Sequence, residues 1–171
     1  LRIVGVETLL RWQHPERGVL GASEFLSLAE QSGMSQELDL WALRTACVEV
    51  AAWHAEGARA RLAANLSARP YRHAELADLV GLVLRESGLA PERLELEITE
   101  TLAMQNAEVS LAVLRRLKEL GVQVSIDDFG TGYSSLGYLK RFPVDRLKVD
   151  RSFIRGIASD EDATIVVRSI I

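Results

Sequence analysis

One regularity narrows what this chain can fold into more than any other. After Asn65, short stretches that alternate apolar and polar residues return about every 30 residues, separated by longer segments with helical spacing, which is the signature of repeated βα units. Leu94, Leu96 and Ile98 alternate with Glu95, Glu97 and Thr99. Val122, Val124 and Ile126 alternate with Gln123, Ser125 and Asp127, and Leu147 and Val149 with Arg146, Lys148 and Asp150. Between them, Leu76, Leu79, Val80, Val83 and Leu84 form a helical stripe closed by Gly88, and a helix capped by Asn106 runs to Leu120.

The flanking chain is read in the same way. Residues 1–10 predict a strand, His14 to Gly18 a loop, and Ser23 the cap of a short helix that ends at Gly33. A longer helix is predicted over 36–56 and a strand over 61–67. A short helical piece is expected near 135–141, and a capped helix begins at Ser159 and Asp160. Strands joined through helices predict an α/β fold with a parallel sheet, either an open doubly wound sheet or a (β/α)8 barrel of the TIM type. Strand parity favours the barrel. A parallel strand covered on both faces reads as continuously apolar, whereas here Glu95, Glu97, Gln123, Ser125, Asp127, Lys148 and Asp150 share one face and require a polar lumen.

At 171 residues and 48% hydrophobic, the chain is long enough for a substantial core. A net charge of −4 argues against binding nucleic-acid polymers, and Cys47, the only cysteine, forms no intrachain disulfide and is expected to pack in the core. With a single cysteine a reducing cytoplasm is the expected compartment, and no apolar run approaches the roughly 18 residues of a membrane helix, so no membrane contact is expected within this chain. Trp12, Trp41 and Trp53 are expected in the core, with Trp12 close to the rim. His14, His54 and His73 lack ligand or triad spacing, and neither a P-loop nor a nucleophile elbow is present.

The chemistry concentrates at strand ends. Glu7, Asn65, Glu97, Asp127 and Asp150 each lie toward the C-terminal end of a predicted strand, the rim on which a barrel builds its active site. Crowded carboxylates require a compensating cation. The oxygen-only donors Glu7, Asn65, Glu97, Asp127, Asp128 and Asp150 suit Mg²⁺ or Mn²⁺. Adjacent Asp127 and Asp128 could serve two ions roughly 4 Å apart, the arrangement used for in-line attack on phosphate esters. Lys148 faces the same space, where it could hold water or stabilise phosphate charge. Arg11 is either a surface ion-pair residue or a phosphate contact.

These residues sit in motifs that resemble the EAL domain family of bacterial cyclic-di-GMP phosphodiesterases. The motifs are Glu7-Thr8-Leu9, with Thr where the family usually has Ala; Asn65-Leu66-Ser67; Glu97-Ile98-Thr99-Glu100; the run from Asp127-Asp128-Phe129-Gly130 through Leu136; and Lys148-Val149-Asp150. The resemblance implies a TIM-type barrel that hydrolyses cyclic-di-GMP to linear pGpG with a two-ion Mg²⁺ or Mn²⁺ site. Carried over, it assigns Glu7, Asn65, Glu97, Asp127 and Asp128 to metal, and Lys148 and Asp150 to ordering the water. Leu9 and Arg11 contact substrate, and Glu100 anchors the loop from Tyr133 to Leu136. A homodimer through the 129–136 loop and the following helix is implied, in a parent protein that other domains can anchor to a membrane. The family's Y-Q-P strand, E-G-V-E segment and later Gln are not found in these residues. Because such a barrel typically needs about 250 residues, residues 1–171 are expected to be a partial domain, with the first and last strands missing. The alternatives are a catalytically inactive cyclic-di-GMP-binding regulatory domain and an inactive fragment of the enzyme.

Overall fold

The computed structural model describes residues 3–66, 75–130 and 136–152. The expected helix after Ser159, His73 and most of the loop from Tyr133 to Leu136 lie outside them. Strands β1 (Gly5–Thr8), β4 (Arg61–Asn65), β5 (Leu94–Thr99), β6 (Gln123–Phe129) and β7 (Arg146–Val149) form one sheet in the order β1-β4-β5-β6-β7. Each neighbouring pair is parallel. The order advances in one direction without reversing. A doubly wound sheet would reverse at its switch point, so this sheet is the five-stranded arc of a TIM-type barrel.

Helices α2 (Ser35–Ala55), α3 (Glu75–Ser87) and α5 (Ala107–Glu119) cover one face. The parity read from the sequence holds: Leu62, Leu94, Leu96, Val122, Val124 and Ile126 are fully buried, packed with Val80 and Val83 of α3 and Leu114 and Leu117 of α5. Leu147 and Val149, on the edge strand, are only half-buried. Cys47 is completely buried on α2, and burial pushes its thiol up to about 12, which suits packing rather than nucleophilic attack.

Four local readings change. The predicted loop from His14 to Gly18 is instead the turn of a hairpin between β2 (Arg11–His14) and β3 (Gly18–Gly21). Its turn is held by His14 Nδ1, which accepts from the backbone N–H of Glu16 and Arg17 at 3.1 and 3.2 Å, and Gly18 supplies a φ of +73°. Such four-residue strands are too short for an alternation signal. Helix α1 (Ala22–Gln31) begins before Ser23, and Glu24 caps it by accepting the Gly21 N–H at 3.0 Å. An additional helix, α4 (Glu100–Gln105), is capped by Thr99, whose Oγ1 accepts from Leu102 N; Asn106 then caps α5 as expected, and α6 (Leu136–Leu139) falls within the expected helical piece. The tryptophans leave the core: Leu43, Cys47 and Val50 occupy the inner face of α2, so Trp41 and Trp53 project outward, 59% and 42% exposed, and Trp12 is exposed on the hairpin.

One polar tie fastens the α5–β6 connection to the approach of β7. Asp145 accepts from Lys118 Nζ at 2.7 Å and from Val124 N at 2.8 Å, while Lys118 also donates to Val122 O. Burial raises the Asp145 carboxyl, but these bonds outweigh it and hold the group below the usual carboxylate range. A carboxyl depressed by folding stabilises the fold above its unfolded value, and that contribution is lost as pH falls through the folded value. The melting temperature is therefore expected to drop more steeply below about pH 4 than that of Asp145→Asn, as read by circular dichroism; parallel curves would contradict the assignment.

Candidate functional site

The C-terminal ends of the strands bring the expected residues to one rim. Register places Asn65 opposite Glu97 and Thr99 opposite Asp127. Glu7 accepts from Asn65 Nδ2 at 3.0 Å, which joins β1 to β4. Glu97 is 1% exposed, and its Oε1 takes both a hydrogen bond and an ion pair from Lys148 Nζ, which joins β5 to β7. Its second oxygen, Oε2, is buried with no partner, as is the Oγ of Ser125 across from it. Burial raises the Glu97 carboxyl against the pull of Lys148, and the charges of Glu7 and Asp127 add to the rise. Burial lowers Lys148, but Glu97 outweighs it and the ammonium stays protonated.

Asp127 and Asp128 diverge because the backbone turns between them. Asp128 has φ +53°, in the left-handed region, within an irregularity of the β6–β7 ladder between Ile126 and Phe129. Such a conformation costs of order 1 kcal/mol and turns two neighbouring carboxylates to different surroundings. Burial raises Asp128 first, then the charges of Asp127 and Asp150. Asp150 shares a hydrogen bond with Asp128 and is itself lowered, chiefly by bonds from Ser152. Next to this turn Gly130 takes a φ of +102° and donates its N–H to Glu100 Oε2 at 2.7 Å. Glu100, 1% exposed at the start of α4, therefore grips the strand-end turn at Gly130; the expected anchoring of Tyr133 lies outside the described residues.

The proposed substrate residues stand apart from these acids. Leu9 is more than half exposed between β1 and β2. Arg11 is on the hairpin, where its Nη1 donates to the carbonyl of Leu10 at 2.7 Å and its side chain borders an apolar cavity of about 330 Å³ with Trp12, Phe25 and Trp41.

Below the rim, the concave face encloses about 680 Å³. A second ion pair, between Arg146 and Glu95, lies one layer beneath Lys148 and Glu97. Residue-by-residue reading of the sequence passed over it, although Arg146 and Glu95 stand two positions before Lys148 and Glu97 on the same strand faces.

Among the described residues, no three acidic, histidine or cysteine side chains gather as ready metal ligands. Glu7 is turned to Asn65 and Glu97 to Lys148. The donors nonetheless fit a hard divalent cation. All are oxygens, and the buried, unpartnered Oε2 of Glu97 is an acceptor that a cation would satisfy.

Comparison with known proteins agrees with this geometry. The bifunctional diguanylate cyclase/cyclic di-GMP phosphodiesterase MucR of Pseudomonas aeruginosa is 46% identical over 171 residues, covering 99% of this chain and 25% of MucR. The cyclic di-GMP phosphodiesterase NbdA of the same organism is 48% identical over 167 residues, 97% of this chain and 21% of NbdA. The chain thus spans a quarter or less of the length of these curated relatives. A solved structure of the PaMucR phosphodiesterase in complex with c-di-GMP superposes with a TM-score of 0.91 at 46% identity, covering 98% of this chain and 68% of that one. The EAL domain family model matches residues 1–171, and the chain belongs to the EAL domain family.

Proposed function

We propose that residues 1–171 are part of a phosphodiesterase domain that hydrolyses one phosphodiester of cyclic-di-GMP to linear pGpG. The observation that carries this reading is the rim itself: the charges of Glu7 from β1 and Asp127 from β6 act on one buried glutamate, Glu97 of β5, whose hydrogen-bond partner among the described residues is Lys148 of β7. The names of MucR and NbdA support the same substrate.

Glu7, Asn65, Glu97, Asp127 and Asp128 would hold Mg²⁺ or Mn²⁺, which when bound polarises the phosphoryl oxygen and activates water. Lys148, charged and half-buried, orients the attacking water and meets the developing phosphate charge, with Asp150 accepting a hydrogen bond from the same water. Arg11 and Leu9 contact the substrate, Arg11 through a phosphate. Glu100 acts by position: its bond to the Gly130 N–H holds the backbone turn that aims Asp127 and Asp128. The reading includes a cytoplasmic setting and a homodimer through the 129–136 loop and α6. No helix among the described residues is long and apolar enough to cross a membrane.

The test is turnover by the full-length protein that carries this chain. Cyclic-di-GMP with Mg²⁺ or Mn²⁺ is expected to yield pGpG on ion-exchange chromatography, and EDTA is expected to abolish the product until metal is restored. No product with either metal would refute the reading. A second reading, a regulatory domain that binds the nucleotide without cleaving it, is favoured by one observation, the engagement of Glu7 and Glu97 by neighbouring side chains. Calorimetry in EDTA separates the two: tight, metal-independent binding without turnover supports the regulatory domain.

A further inference from the structure

Two ion pairs cross the concave face of the sheet side by side. Lys148 and Arg146 of β7 reach over β6 to Glu97 and Glu95 of β5. Register sets Asn65 beside Glu97, Glu97 beside Ser125 and Ser125 beside Arg146, so these four residues lie in one row across the sheet. The acid level with Arg146 is therefore Glu97, yet the arginine pairs with Glu95, two positions back along β5. Across two strand spacings of about 4.8 Å each, Glu97 is no farther from Arg146 than Glu95 is.

Reach alone does not decide this pairing. Only Ser125 stands between Arg146 and Glu97 in the row, and its side chain is small. The Ser125 Oγ and the Glu97 Oε2 are both buried without a hydrogen-bond partner. A guanidinium shifted along its row would meet both acceptors with the donors of its planar fork. What holds it back is charge. Glu97 already has Lys148, whereas Glu95, 7% exposed, has Arg146 as its ion-pair partner among the described residues. Moving the arginine away would strand that buried carboxylate.

We propose that Glu95 is a positioning residue for the metal site: by binding Arg146 it keeps the guanidinium off Glu97 and leaves Oε2 open to a divalent cation. The inference rests on the metal-dependent reading given above. It differs from a structural tie in one respect. The two halves of a mere tie are equivalent, but here loss of the acid frees an arginine that competes with the cation, while loss of the arginine frees no competitor.

The test is Mn²⁺ affinity of the full-length protein, read by electron paramagnetic resonance of the free ion. Glu95→Gln, which preserves shape, is expected to weaken Mn²⁺ binding about tenfold or more, the effect of one charge-assisted hydrogen bond that the cation must displace. Arg146→Met is expected to lower Tm, because Glu95 is stranded, but to keep Mn²⁺ affinity within about threefold of the parent. The double variant, Glu95→Gln with Arg146→Met, leaves neither charge of the pair unpartnered and should also bind Mn²⁺ within about threefold of the parent. A metal-free crystal structure of Glu95→Gln should show the Arg146 guanidinium within hydrogen-bonding distance of Glu97 Oε2. The proposal is overturned by a Glu95→Gln variant with parental affinity, by a double variant that binds no better than Glu95→Gln, or by an Arg146 that stays away from Glu97 in that structure. A parent that binds no Mn²⁺ refutes this inference and the proposed hydrolysis together. A parent that binds Mn²⁺, responds to Glu95→Gln as described and forms no pGpG refutes the hydrolysis alone.

Discussion

Asp127→Ala in the full-length protein is expected to reduce cyclic-di-GMP hydrolysis by about a thousandfold or more, with the fold intact. Asp127 ends the inward face of β6, half-buried, and its charge reaches both Glu97 and Lys148. Of the strand-end acids it is the one placed between the Glu97 cluster and the Asp128–Asp150 pair. In the proposed two-ion site, replacing it removes the carboxylate that serves both metal positions, and each few kcal/mol of lost transition-state stabilisation is worth about two to three orders of magnitude. Core packing should be untouched, because Ile126 and Phe129 carry the apolar side of this strand. Pre-steady-state and steady-state assays at saturating Mn²⁺, with circular dichroism on the same samples, decide it; activity within tenfold of the parent would remove Asp127 from the site.

Lys148→Met is expected to cost about a hundred- to a thousandfold in kcat, the range for losing one preorganised donor to developing charge. The effect has two sources. The substitution removes the ammonium proposed to meet the reacting phosphate, and it leaves Glu97, at 1% exposure, without the one side-chain hydrogen-bond partner it has among the described residues. Lys148→Arg should recover little, since a planar guanidinium is not a substitute for a compact ammonium in a site fitted to one carboxylate oxygen. A KM change without a kcat change would instead assign Lys148 to ground-state binding.

Much of this site was visible as pattern. Period-two alternation in β5, β6 and β7 separated inner from outer residues correctly, because burial on one face and charge on the other leave opposite marks at odd and even positions. The acids at strand ends followed from the same count, since a carboxylate at the last inward position of a barrel strand reaches the rim. The β2–β3 hairpin was not visible, since four-residue strands with mostly exposed side chains carry no alternation. The outward tryptophans of α2 were misread for a related reason: composition favours burial, but helix phase decides it, and Leu43, Cys47 and Val50 already fill the inner face.

Taken alone, the sequence determined the βα repeat, the inner face of each strand, and which acids end on the rim, because these depend on local periodicity. Tertiary structure alone decided which of them meet. Glu97 with Lys148, Glu95 with Arg146, Glu7 with Asn65, and Glu100 with Gly130 all join different segments, with separations from 30 to 58 residues. Strand order and register set those distances, and both arise from packing the whole sheet against its helices rather than from any one segment's preference.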